Sequence, residues 1–187
     1  MNEDVHRFIS LALTNADLSI LLAGLAELGI EDCWIVSGGL VQSVWNALCG
    51  QDPRHGILDY DVIYFDPDTT WDAEDQVIRR ARDLFADLPV PVEIRNQARV
   101  HLWYEEKYGQ RVLPLRSACQ SLWRYPSRTT AIALDPHRPH ALCAPFGVKH
   151  ALNMKVQPNR RSGQPSAYQD KARRWQAMWP GLEIVPW

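Results

Sequence analysis

The sequence predicts an α+β (mixed α/β) domain, and three observations predict it. Short apolar runs bounded by turn residues, at Cys33–Val36, 58–65 and 90–95, read as strands. Between them lie stretches whose apolar residues recur at helical spacing. Strands and helices are interspersed, and no internal repeat or long linker calls for a boundary, so the 187 residues read as a single domain. Within it the chain divides into a helical lead-in over 1–30, a core over 33–95, and further elements over 96–187 that end in a helix.

Composition excludes some classes. With 46% hydrophobic and 22% charged residues it is ordinary for a globular protein. The longest apolar pattern near the start, 18–30, contains Glu27 and two glycines, which is too short and too interrupted to span a bilayer. The opening MNEDVHRF has no basic region of a secretion signal, so the expectation is a cytoplasmic protein with no membrane partner. Four cysteines stand singly, without metal-ligand spacing, and Cys33 and Cys49 are expected as reduced core residues. A formal net charge of −2 argues against whole-surface attraction to nucleic acid, so a nucleic-acid partner is not favoured.

Taken in order, residues 1–13 suggest a short helix. Thr14, Asn15, Ala16 and Asp17 resemble a capping box opening a helix with Leu18, Leu21, Leu22, Leu25 and Leu28 on one face, stopped by Gly29. A buried strand at Cys33–Val36 is broken by Ser37, Gly38 and Gly39. A helix with Val41, Val44, Trp45 and Leu48 inward then runs to Gly50. A polar connector over 51–57 leads to the strand over 58–65.

Residues 70–87 place acids early and arginines late, as the helix dipole favours, with Val77, Ala81, Leu84 and Phe85 as the apolar face. A third strand is expected over 90–95, helical pieces over 101–109 and 115–123, and a hairpin joining 129–134 to 140–143. A short helix over 147–154, a basic loop over 157–165, and a last helix opened by a capping box at Ser166 complete the pattern. Trp34, Trp45, Trp175 and Trp179 fit core patterns better than base-stacking roles.

The chemistry concentrates in few places. Side chains alternate along a strand, so Asp59 and Asp61 project together while Tyr60, Val62 and Tyr64 face the other layer. Paired carboxylates repel unless a cation lies between them, and Mg²⁺ takes one or two carboxylates plus phosphate oxygens. Gly38 and Gly39 stand where a strand turns into a helix, and there free N–H groups attract phosphate, with the Ser37 hydroxyl as a further donor. Glu93, between Val92 and Ile94, points away from the core and supplies a third acid, or pairs with Arg95 or Arg99 as an edge-strand residue. Arg99 and His101 follow closely enough to reach a transferred phosphate, or else to make an ion pair and a helix cap. Arg116, Lys149, Lys155, Arg160 and Arg161 are further phosphate candidates. No Walker loop, nucleophile elbow, zinc-protease motif or dinucleotide fingerprint is present.

Strand, Gly-Gly, helix, a strand with Asp-x-Asp, then a later strand with one acid resembles the nucleotidyltransferase superfamily of DNA polymerase β type. More specifically the chain resembles a bacterial branch of uncharacterised nucleotidyltransferase-family proteins from about Trp34 to the last helix. The resemblance is carried by Gly38-Gly39, Val44-Trp45, the run from Asp59 to Pro67, the run from Val92 to Tyr104, the run from Ala144 to Gly147, and Pro158-Asn159.

It implies a nucleotidyltransferase-like mixed sheet with helices packed mainly on one side. Asp59, Asp61 and Glu93 would then be catalytic and bind Mg²⁺ (or Mn²⁺), while Ser37, Gly38 and Gly39 bind phosphate. The implied function is transfer of a nucleoside monophosphate from an NTP to an unknown hydroxyl acceptor. The alternative is an inactive nucleotide-binding or protein-interaction module of the same fold.

Overall fold

In the computed structural model, residues 3–187 are described. Met1 and Asn2, the start of the expected lead-in helix, lie outside the described residues. Helix α1 (Glu3–Ala12) and helix α2 (Ala16–Leu28) come first. Asn15, not Thr14, caps α2: its side chain accepts from the Asp17 N–H, while the Thr14 hydroxyl donates to the Leu11 carbonyl. Gly29 ends α2 in the left-handed conformation, φ 69°, that only glycine adopts without cost.

Strand β1 (Cys33–Val36) runs into helix α3 (Gly38–Cys49), and strand β2 is Tyr60–Tyr64. It is shorter than expected, so Asp59 sits just before its first residue. Helix α4 (Trp71–Leu84), capped by the Thr70 hydroxyl, crosses over to strand β3 (Val92–Asn96). Ala81 and Phe85 are buried as expected, but Leu84 is exposed.

A 3-10 turn, Gln97–Arg99, passes directly into helix α5 (Val100–Tyr108), and a second 3-10 segment spans Ala118–Arg124. The hairpin is made by strands β4 (Ala133–Leu134) and β5 (Leu142–Cys143). Helix α6 (Lys149–Leu152), strand β6 (Lys155–Val156), helix α7 (Pro165–Met178) and strand β7 (Glu183–Ile184) follow. Helix α7 starts at Pro165, one residue before the expected capping serine, because a proline is well placed at the first helical position.

The main sheet has the order β3-β2-β1-β4-β5. Only β2 and β3 are parallel, which is what the α4 crossover between them requires; the other pairs are antiparallel. Strands β6 and β7 form a separate parallel pair that sequence patterning did not suggest.

The two faces of the sheet are unequal. One carries Ile35, Tyr60, Val62, Tyr64 and Ile94 into a large core shared with α1, α2, α3, α4, α6 and α7. The other carries Val36 and Ile63 into a small cluster with Ala118 and Leu122. Helices therefore pack mainly on one side, and the less covered face is left for Asp61. Trp45 is fully buried, meets Trp175 and Trp179 edge-on at centroid distances of 5.6 and 5.4 Å, and donates to the Ala151 carbonyl. Trp34 is only half-buried, and Cys49, expected in the core, is exposed. No single helix among the described residues is long and apolar enough to cross a membrane.

Candidate active site

The turn after β1 has an unusual backbone. Ser37 has φ 67° and ψ −132°, a region costly for a residue with a Cβ, and its N–H is fixed by the Ile132 carbonyl at 3.1 Å. Its hydroxyl makes no capping bond to α3, so the N-terminus of that helix has no side-chain cap. The two glycines differ in role. A Cβ on Gly39 would come within 2.6 Å of the Tyr60 ring, so Gly39 is required for α3 to lie against β2. A Cβ on Gly38 would meet only the movable amide end of Gln42, also at 2.6 Å.

Strands β2 and β3 bring the acids together, with β1 alongside. Val36 stands opposite Asp61 in register, and Asp61 stands opposite Glu93 across the parallel pair. Burial, together with the negative charges of Asp59 and Glu93, pushes the Asp61 carboxyl up to about 6, while Lys171 and Arg95 act in the opposite direction. Among the described residues no three His, Cys, Asp or Glu side chains form a metal-holding group by themselves. The donor chemistry nevertheless fits Mg²⁺, which takes one or two carboxylates and completes its shell with phosphate oxygens and water. A desolvated Asp61 with acids on both sides is a carboxylate that a divalent cation would relieve. Glu93 itself is exposed and lies 4.0 Å from the Arg95 guanidinium, a weak surface pair.

Asp61, Glu93 and Ser37 open into a cavity of about 320 Å³ walled on its far side by Trp103, Tyr104 and Tyr108 of α5. Its cations are Arg95, Arg124 and Lys171. Asp59, Gly38 and Gly39 flank this cavity without lining it.

Arg99 and His101 do not line it either, contrary to the sequence expectation. Arg99 is held by Glu74 at 2.8 Å, donates to the Thr69 carbonyl and lies over the Trp71 ring; it fastens the 3-10 turn to α4. Glu74 also accepts from the Asn96 N–H at 2.9 Å, so this cluster secures the end of β3. His101 presents a buried Nδ1 that has no hydrogen-bond partner. Of the other basic candidates, Lys149 pairs with Asp4, Lys155 with Glu183, and Arg160 donates to the Pro186 carbonyl.

Several cavity residues carried no sequence signal. Tyr125 and Ser121 come from the second 3-10 segment and its end, and burial with the nearby Asp61 charge holds the Tyr125 phenol firmly protonated. Lys171 had a faint signal: on α7 it lies four residues after Ala167, beside the buried stripe of Tyr168, Ala172 and Trp175. Arg124 is reached only through the fold.

Known proteins resemble this chain in fold and in sequence. One solved NMR structure, whose description says it reveals a CCA-adding enzyme head domain, superposes with a TM-score of 0.75 at 24% identity, covering 96% of this chain and 95% of that one. At that identity the likeness establishes the fold. A search of curated proteins returns no match. Residues 23–184 match the sequence profile of a family described as Nucleotidyltransferase. With the profile spanning most of the chain and the fold of that type, the chain belongs to this nucleotidyltransferase family.

Proposed function

We propose that the protein transfers a nucleoside monophosphate from an NTP to a hydroxyl acceptor in a divalent-metal-dependent reaction. The observation that carries this reading is the desolvated Asp61 flanked by Asp59 and Glu93 at the mouth of a cavity beside an uncapped helix N-terminus. Asp59 and Asp61 would hold Mg²⁺ or Mn²⁺. When bound, the metal neutralises charge on the triphosphate.

The chain's own groups then divide the remaining work. Ser37 and the first N–H groups of α3 bind the departing phosphates, an arrangement supported by the dipole and the free donors of a helix start. Glu93, in register with Asp61 and exposed to the cavity, accepts the proton of the incoming hydroxyl. Lys171 faces Asp61 from α7 and offsets negative charge developing between them. Tyr125, kept neutral, retains an O–H that can donate to a phosphate oxygen.

The test is incubation with Mg²⁺ and α-labelled NTPs over cell extract. Label appearing on a small molecule, protein or RNA with release of pyrophosphate supports transfer, and its loss in Asp59→Ala and Asp61→Ala ties it to this site. Tight NTP binding without pyrophosphate release from any extract would instead identify an inactive binding module.

A further inference from the structure

The cavity has two chemically different ends, and their order follows from the sheet. Ser37 follows β1, Asp61 lies on β2 and Glu93 on β3, which forms the edge of the sheet. Helix α5 is reached from β3 by one 3-10 turn, so its rings enter the cavity from the β3 edge of the sheet, while Ser37 enters it from the end of β1. On the nucleotidyl-transfer reading, the donor's phosphates occupy the Ser37–Asp61 side. The α5 side is then left for the second substrate.

That side has a distinct character. Trp103 and Tyr108 are 40% and 39% exposed, and both line the cavity. Tyr104 packs against Tyr108 at 4.7 Å and accepts a hydrogen bond from Gln164 at 2.6 Å, which fixes the wall. Exposed aromatic rings gathered at a cavity are a stacking surface for a flat ligand.

Arg124 stands at the same end. One guanidinium nitrogen, Nη2, donates to the Leu113 carbonyl at 2.6 Å, but Nη1 is buried and has no hydrogen-bond partner. No carboxylate among the described residues pairs with it, and burial lowers its affinity for its own proton. A desolvated guanidinium with a spare donor is costly unless an anion completes it.

We infer that the α5 end of the cavity is the acceptor subsite, and that the acceptor is a planar ring carrying an anionic group, with the ring on Trp103 and Tyr108 and the anion on Arg124. The inference rests on the nucleotidyl-transfer reading for the words donor and acceptor. The ring-and-anion site itself does not depend on that reading.

AMP, adenosine and inorganic phosphate serve as probes in calorimetric titrations of the full chain with EDTA present, so that no metal contributes. AMP is expected to bind at least about 10-fold tighter than adenosine or phosphate, the gain that a charge-assisted hydrogen bond brings. Arg124→Gln should bring AMP down to the adenosine level while Arg124→Lys keeps part of the difference; Trp103→Ala should weaken AMP and adenosine alike.

AMP binding no tighter than adenosine to the native protein, a comparison that needs no variant, overturns the site. A second titration uses protein saturated with Mg²⁺ and α,β-methylene-ATP: retained AMP binding supports an acceptor subsite, and displacement assigns the ring wall to the donor and overturns it. If the analogue fails to bind while AMP binding is intact, the donor reading falls and the ring-and-anion site stands.

Discussion

Asp61 and Glu93 face each other across the only parallel strand pair of the main sheet. The pairing sets two carboxylates side by side on the face that the helices leave uncovered. In the metal-free protein such proximity works against stability. Asp61 titrates near 6 in the fold, above the usual carboxylate value of 3.8, so the folded state prefers it protonated. The associated cost is absent below about pH 4 and fully present above about pH 6.

Asp61→Asn should therefore raise the melting temperature at pH 8, with the gain shrinking as pH falls through 6 and vanishing near 4. The same substitution should lower pyrophosphate release by at least about 100-fold. Thermal melts across this pH range, without metal, check the first part. A destabilised Asp61→Asn at pH 8 would contradict it.

Gly39→Ala should be far more damaging than Gly38→Ala. The added methyl at position 39 meets the buried Tyr60 ring at 2.6 Å, and the ring is confined by hydrogen bonds to Asn15 and Asp17. Overpacking of this kind costs about 1–3 kcal/mol. At position 38 the methyl meets a side-chain amide that can rotate away. Chemical denaturation of both variants separates these outcomes.

Asp17 is fully buried, and its carboxylate receives the Arg54 guanidinium at 2.7 and 2.8 Å and the Tyr60 hydroxyl at 2.9 Å. The Arg54 hydrogen bonds hold its carboxyl below the usual range. Its contribution to stability is complete above pH 3.8, its unfolded value, and is lost as pH falls through the lower folded value. Asp17→Asn should flatten the acid end of the stability profile, and Asp17→Ala should cost about 2 kcal/mol or more by leaving the Tyr60 hydroxyl and the Arg54 guanidinium without their acceptor.

Arg99→Gln should destabilise the protein through the loss of its Glu74 pair, yet leave the KM for NTP unchanged. Arg124→Gln should do the reverse for the second substrate. Steady-state kinetics beside melting curves distinguishes an anchoring arginine from a ligand-binding one.

The strands that carry the acids were legible because they obey local rules. The period-two alternation at Asp59–Tyr64 assigns Tyr60, Val62 and Tyr64 to the core, and the fold agrees. Gly29 and Gly50 marked helix ends for equally local reasons, φ 69° and 63°. Arg99 stood between a phosphate contact and an ion pair; the fold gives the ion pair, and because its partner, Glu74, lies on a different element no local pattern could decide between them. Arg124, Tyr125 and Lys171 escaped for the same cause: cavity walls are built from residues distant in sequence. The β6–β7 pair is two residues per strand, too short for any periodicity to register.

Trp179 donates its indole N–H to Asn46 at 2.9 Å, and with Trp175 it clasps Trp45, binding α7 to the helix that begins at the Ser37 turn. All three acids lie in the first half of the chain, the last of them on β3, but Lys171 and Gln164 are delivered to the cavity only when α7 docks. A nascent chain can thus carry its complete set of carboxylates while having no chamber in which to use them. The tryptophan clasp therefore makes the last helix a structural condition for a closed cavity wall.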